Sequence, residues 1–326
     1  MLQHQFATAV ETVYGTPETP DRFYEFLPGE SLGRSNVVLN PSGLRPGVRA
    51  TLGSRRVVTL RQGAGGVSFE IAASGFGRFF EHMLGGTGDV ARIESTDAYR
   101  HTYTPGSLTG KSLTLQKGVE KIGGAAQAFT FHGCKILDWE ITVAKNALAI
   151  LGINVDAEDV DTDTALATAN YITSNLFHFA QATLSIDGLP IANVSDFSVK
   201  GTNALDVERV FLGQSGLKLE PLENDRRSLN GNISAEFANL TAFYQAFEDD
   251  TSLELELQFL GEVIDTASYG DIREELTVTL YDVRLTGETP KVAGPAPAVQ
   301  AIPFEGYETD GGDLVAIEYV TSDGTV

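Results

Sequence analysis

Apolar and polar residues alternate with a period of two along most of this chain, which commits it to strands with one buried and one wetted face. The pattern recurs in VSFEIAA (67–73), KSLTLQKGV (111–119), AFTFHGCKIL (128–137), WEITVAK (139–145), LAILGINV (148–155), ATLSID (182–187), SLELELQF (252–259) and ELTVTLYDVRL (275–285). Glycine, 34 of 326 residues, punctuates these runs, as do the turn pairs Asp187-Gly188 and Asn230-Gly231. Helical spacing occurs twice. GFGRFFEHMLGG (75–86) aligns Phe76, Phe79, Phe80, Met83 and Leu84 and stops at Gly85-Gly86. NLTAFYQAFEDD (239–250) aligns Leu240, Phe243, Tyr244 and Phe247, with Asn239 or Thr241 as N-cap. The fold class is mainly β.

The two helical stretches sit in matching contexts. Each follows a strand that starts at a glycine (Gly66 or Gly231) and precedes two alternating strands, KSLTLQK and FTFHGCKIL in the first half and SLELELQF and LTVTLYDVRL in the second. This order predicts a duplication at an offset near 150–165 residues. Residues 1–26 read as an N-terminal arm, 27–158 as a first repeat, 159–175 as a linker and 176–326 as a second repeat. The boundary falls in DAEDVDTDTALATANYITSN (156–175), where acids, Thr and Ala replace alternation. ETPKVAGPAPAVQ (288–300) reads as an extended Pro-rich loop inside the second repeat.

Composition excludes several functions. The net charge of −21, from 44 acids against 23 bases, opposes tight binding of nucleic acid, which needs clustered Lys and Arg. A single cysteine, Cys134, rules out an intrachain disulfide. MLQHQFATAV lacks a secretory signal pattern and no run approaches the ~18 apolar residues of a membrane span, so a reducing cytosol is expected.

No motif carries chemistry. The five histidines form neither HExxH nor a zinc pattern. Cys134 and His132 lie two apart in one alternating run, which places them on one face; a small buried hydrophobe explains the cysteine better than a nucleophile. Asp159, Asp161 and Asp163 stand at the first calcium-loop positions, but Thr164 replaces the glycine and Asn170 the final glutamate. RQGAGG (61–66) precedes a strand, so it cannot cradle phosphate and reads as a hairpin tip. No catalytic residue, metal or cofactor is expected, and assembly remains. In SLELELQF, Glu254 and Glu256 share one face and Leu253, Leu255 and Leu257 the other.

In this setting the chain resembles the tail tube (major tail) proteins of long-tailed bacteriophages. The resemblance is carried, in order, by ETVYGTPETPDRFYEF (11–26), PGESL (28–32), GFGRFFEHMLGG, FHFAQATLSIDGLPIANVSDFSVKGTNALDVERVFLG (177–213) and LNGNISAEFANLTAFYQAFEDDTSLELELQF. It implies β-sandwich or half-barrel repeats, each with a short flanking helix, that close into a ring-shaped barrel on oligomerisation. Stacked rings of three duplicated subunits, or else of six, would form the conduit for the genome in the virion tail, assembled in the host bacterial cytoplasm. Implied partners are further copies of the chain, the tape-measure, tail-terminator and distal tail proteins, and viral DNA in transit without specific binding. Glu254 and Glu256 would face the lumen, where acids repel DNA phosphates. Phe23, Tyr24 and Phe26, and long loops such as 43–66, would make inter-subunit or inter-ring contacts, with both helices on the outer faces. A tail-tip or tail-completion ring is the alternative, and a carbohydrate- or receptor-binding β-sandwich is weakened by the single tryptophan, Trp139.

Overall fold

The computed structural model of the chain describes residues 3–236, 243–268, 270–287 and 299–325. The first half contains β1 (Gln5–Val10), β2 (Arg22–Tyr24), β3 (Gly33–Leu39), β4 (Val57–Glu70), α1 (Gly77–Leu84), β5 (Asp89–Arg92), β6 (Tyr99–Tyr103), β7 (Leu113–Val119), β8 (Gln127–Val143), β9 (Ile150–Ala157) and β10 (Asp159–Asp161). The second contains β11 (Ala182–Ile186), β12 (Leu189–Pro190), β13 (Val194–Thr202), β14 (Leu205–Asp206), β15 (Leu222–Glu223), β16 (Ser228–Glu236), α2 (Tyr244–Glu248), β17 (Leu253–Ala267), β18 (Gly270–Leu285), β19 (Val299–Tyr307) and β20 (Val315–Thr321). The protein is mainly β, as its alternation requires.

Among the described residues every pair of these strands is antiparallel, and one isolated parallel bridge joins Phe23 to Tyr171. One run of neighbours reads β3-β4-β9-β8-β7-β1-β2, with β10 added to β8. The other reads β13-β16-β19-β18-β17-β11-β12, with β20 added to β18. The far end of β8 pairs with β13, from Asp138 opposite Thr202 to Val143 opposite Phe197, and so joins the runs into one sheet. β6 and β5 extend it beyond β20. The sheet stays open: among the described residues β3, β5 and β12 each pair with a single strand, whereas β2 pairs with β1 and is bridged at Phe23 by Tyr171.

Both runs carry a bulge at one place. Leu113 and Leu115 of β7 oppose Cys134 and Phe131 of β8, so three steps on β8 match two on β7. Leu253 and Leu255 of β17 oppose Val283 and Leu280 of β18 in the same way. The extra residue turns both flanking side chains inward, and all eight of these residues are buried in the core. At the first bulge Gly133 takes φ +62, a conformation that favours glycine. This corrects the expectation that Cys134 and His132 share a face: Cys134 faces the core, while His132 lies beside Glu158 at 3.5 Å.

One apolar core runs through both halves, from Phe6, Phe69 and Phe79 to Phe259 and Phe304. α1 is embedded in it, because Phe79, Phe80, Met83 and Leu84 are joined in burial by Arg78 and His82. The expected helix is present, but it fills the core instead of decorating a face. α2 realises the described part of the second helical stretch; residues 239–242 lie outside the described residues. AFTFHGCKIL and WEITVAK form one long strand, β8, with an irregularity between Ile136 and Asp138 where separate strands were expected. RQGAGG sits inside β4, not at a tip. A Cβ on Gly65 would come within 2.3 Å of Ser31 O, so glycine here lets residues 31–32 cross the strand closely. Of the Pro-rich stretch 288–300, residues 288–298 lie outside the described residues, while Val299 and Gln300 open β19.

Candidate functional site

The alternation of β17 places Leu253, Leu255, Leu257 and Phe259 in the core and turns Glu254 and Glu256 to the opposite face. Glu256 lies opposite Thr279 of β18, and Thr277 lies opposite Glu318 of β20, so one polar face extends across three strands. Glu254, Glu256, Glu275 and Glu318 stand on it. Gln258 Nε2 and Thr277 Oγ1 each donate to Glu275 Oε1 at 2.9 Å, and Arg100 lies 3.9 Å from Glu318 at the rim. Loss of water, followed by the charges of Glu254, Glu275 and Glu318, raises the pKa of Glu256 above its usual value. Four carboxylates gathered on one face repel anions.

The corresponding face of the first half is covered. Thr114, Gln116 and Thr130 are fully buried there. Gln116 Nε2 donates to Ala165 O at 3.1 Å and Ala167 N donates to Gln116 Oε1 at 2.8 Å. Gln5 Nε2 reaches Ala167 O at 2.8 Å. Residues 162–167 thus lie across the polar face of β1, β7 and β8, whereas Glu254 and Glu256 on the matching face of the second half are partly exposed.

The segment ETVYGTPETPDRFYEF is fastened to its own subunit. Buried Glu11 accepts from Gly15 N at 3.0 Å, Ser112 Oγ at 2.6 Å, Thr114 Oγ1 at 3.0 Å and Gly133 N at 2.8 Å. Arg78, buried on α1, donates to Asp21 Oδ1 at 2.6 Å and Thr8 O at 3.0 Å. Phe23 and Tyr24 are about nine-tenths or more buried, at 6% and 5% exposed. Tyr24 packs on Phe69, Phe76 and Phe79 and donates its hydroxyl to Gly75 O at 2.9 Å. Phe26 is half-buried, 5.9 Å from the ring of Phe6, on a groove it shares with His4, Lys117 and Tyr171. The sequence signal that foretells this is the aromatic pair of Arg22-Phe23-Tyr24, a short strand against β1 with both rings buried.

A family model described as phage tail tube protein matches residues 2–306, nearly the whole chain. This chain belongs to the phage tail tube protein family. No curated protein matches it. As a tail tube protein it has a structural role in a bacteriophage tail and is a component of the virion, in a family of structural proteins. Among its described residues there is no group of three or more metal-ligating side chains, and no helix is long and apolar enough to cross a membrane. Cys134 is buried, and burial raises its thiol pKa well above normal, which leaves it unreactive.

Two features of this tail tube protein are not revealed by alternation. One is the loop 207–221, whose Lys218 Nζ meets Asp156 Oδ1 at 2.6 Å inside the protein. The other is the long β3–β4 hairpin, exposed along nearly all of β3.

Proposed function

We propose that the chain self-assembles into rings that stack into a tail tube, the conduit through which the phage genome passes. The observation that carries this is a mainly antiparallel sheet, in a member of the tail tube family, whose β3, β5 and β12 edges remain unpaired among the described residues of one subunit. Open edges favour pairing with another chain, and closure into a ring removes them.

We also read the subunit as an internal duplication. The matching order of the two runs, the shared bulge and the position of each helix before its β7–β8 or β17–β18 pair support it. On this reading three copies form a ring with six similar units. Lateral contacts of a head-to-tail kind close the ring, and axial contacts stack it without limit. Glu254 and Glu256 face the lumen, where their face repels DNA and lets it slide. Among the aromatics of the N-terminal segment, Phe26 retains a face for an adjacent subunit or ring, whereas Phe23 and Tyr24 hold the segment in place. Tape-measure, tail-terminator and distal tail proteins are the partners of the finished tube.

Negative-stain microscopy of the purified chain tests this. Long hollow tubes are expected. Isolated rings that never stack would indicate a tail-tip ring, and persistent monomers would overturn self-assembly.

A further inference from the structure

The second half reaches onto the first through loop 207–221. Arg61 N donates to Gly216 O at 3.1 Å, Gly110 N donates to Glu220 Oε1 at 2.6 Å, and Lys135 pairs with Glu220. Lys218 bonds to Asp156 at 2.6 Å, with both side chains almost wholly buried. The landing site of this loop is therefore Thr59–Arg61 on β4, Asp156 on β9 and Lys135 on β8.

Strand registers identify the equivalent place in the second half. Asp156 lies between Ala64 of β4 and Lys135 of β8. Glu305 lies between Asn230 of β16 and Arg284 of β18. Counting back equally from Ala64 and Asn230 sets Thr59–Arg61 against Asp225–Arg227. Pro105 and Gly106 border that second place and Gly106 O holds Arg227 at its edge, but no described loop forms the counterpart of the Lys218–Asp156 contact there. This place is a groove of about 940 Å³, lined by Glu223, Asp225, Glu305, Glu308 and Asp313 against Arg226 and Arg227.

The docking loop has its own counterpart. Loop 207–221 leaves from β13–β14 and returns through β15 to β16; residues 40–56 leave from β3 and return to β4. The first is anchored on the chain, whereas the second is free. Leu44 on it, and Leu39 and Val57 at its base, are each more than half exposed. Between Ser31 and Phe69 the chain carries six arginines (Arg34, Arg45, Arg49, Arg55, Arg56 and Arg61) and no acidic residue, within a protein of net charge −21.

We propose that the β3–β4 hairpin of one copy seats in the Glu305 groove of a second copy, repeating between chains the contact that loop 207–221 makes within the chain. The opposite charges of hairpin and groove, and the equivalence of this contact to an existing one, select a second copy as occupant. The contact is head-to-tail, so each copy offers one hairpin and one groove, and successive copies follow one another around a ring. This rests on the self-assembly proposed above and on the duplicated subunit.

Charge reversal tests it. R55E/R56E reverses the hairpin and E305K/E308K reverses the groove, at exposed positions. Circular dichroism establishes that each variant folds, and analytical ultracentrifugation with microscopy reads assembly. Each double variant is expected to sediment as a monomer at concentrations where the wild type assembles, and the fourfold variant to assemble again. Folded double variants that assemble like the wild type would overturn the contact and leave the tube reading standing, as would a fourfold variant that stays monomeric. A wild-type chain that stays monomeric at every concentration would overturn both together.

Discussion

Lys218 on loop 207–221 donates to Asp156 of β9 at 2.6 Å, and both side chains are all but removed from water. The pair ties the second half of the subunit to the first across 62 residues of sequence. Burial raises the pKa of Asp156, and the hydrogen bond and charge of Lys218 oppose that rise. Lys218→Met leaves a buried carboxylate uncompensated and should cost about 3–5 kcal/mol. Pairing it with Asp156→Asn should recover much of the loss. Urea unfolding of the single and double variants measures both effects.

The joint between the two runs depends on a missing side chain. Gly201 of β13 lies opposite Trp139 of β8, and a Cβ there would come within 2.3 Å of the indole. Gly201→Ala should therefore destabilise by about 1–3 kcal/mol through overpacking. Trp139 is the only tryptophan and is buried, so its emission reports this site alone. We expect a red-shifted emission and a lower unfolding midpoint in the variant.

His82 links stability to acid. It is buried on α1 with Nδ1 2.9 Å from Arg78 O, and burial pushes its pKa down to about 4. The ring is neutral in the fold, while the unfolded chain takes up a proton near pH 6.5. Its contribution is complete above about pH 6.5 and is lost as pH falls towards 4, by up to about 3 kcal/mol. His82→Gln should flatten stability over this window, as measured by guanidinium unfolding at pH 7.0, 5.5 and 4.5.

The acidic face should relax when one charge is removed. Because the folded pKa of Glu256 is raised, the stability linked to it is present below the usual glutamate pKa and is lost as pH rises through the folded value. Glu256→Gln should raise stability at neutral pH by about 0.2–1 kcal/mol, with no gain near pH 3.5. High salt should shrink the gain by screening. Thermal melts in low and high salt at both pH values test this.

The strands were legible because alternation records burial directly: Leu253, Leu255 and Leu257 against Glu254 and Glu256 is the pattern of β17 itself. The aromatic helix was equally clear, but its depth was not, because buried Arg78 and His82 look like polar surface until Asp21 and the backbone are seen to hold them. Bulges defeat period-two reasoning, which is why alternation alone puts Cys134 and His132 on one face and the fold does not. The Glu11 cluster, the Lys218–Asp156 pair and the acidic groove join residues far apart in sequence, and no local pattern encodes them. The arginines of the β3–β4 hairpin were visible in the sequence, but their meaning depends on the groove formed by β16 and β19.

The subunit count of a ring tests the duplicated-subunit reading most directly. Native mass spectrometry of rings released from purified tubes, or symmetry analysis of tubes by cryo-electron microscopy, supplies that count. Three copies per ring, with six similar units around the lumen, is the expected result; six copies per ring would contradict it.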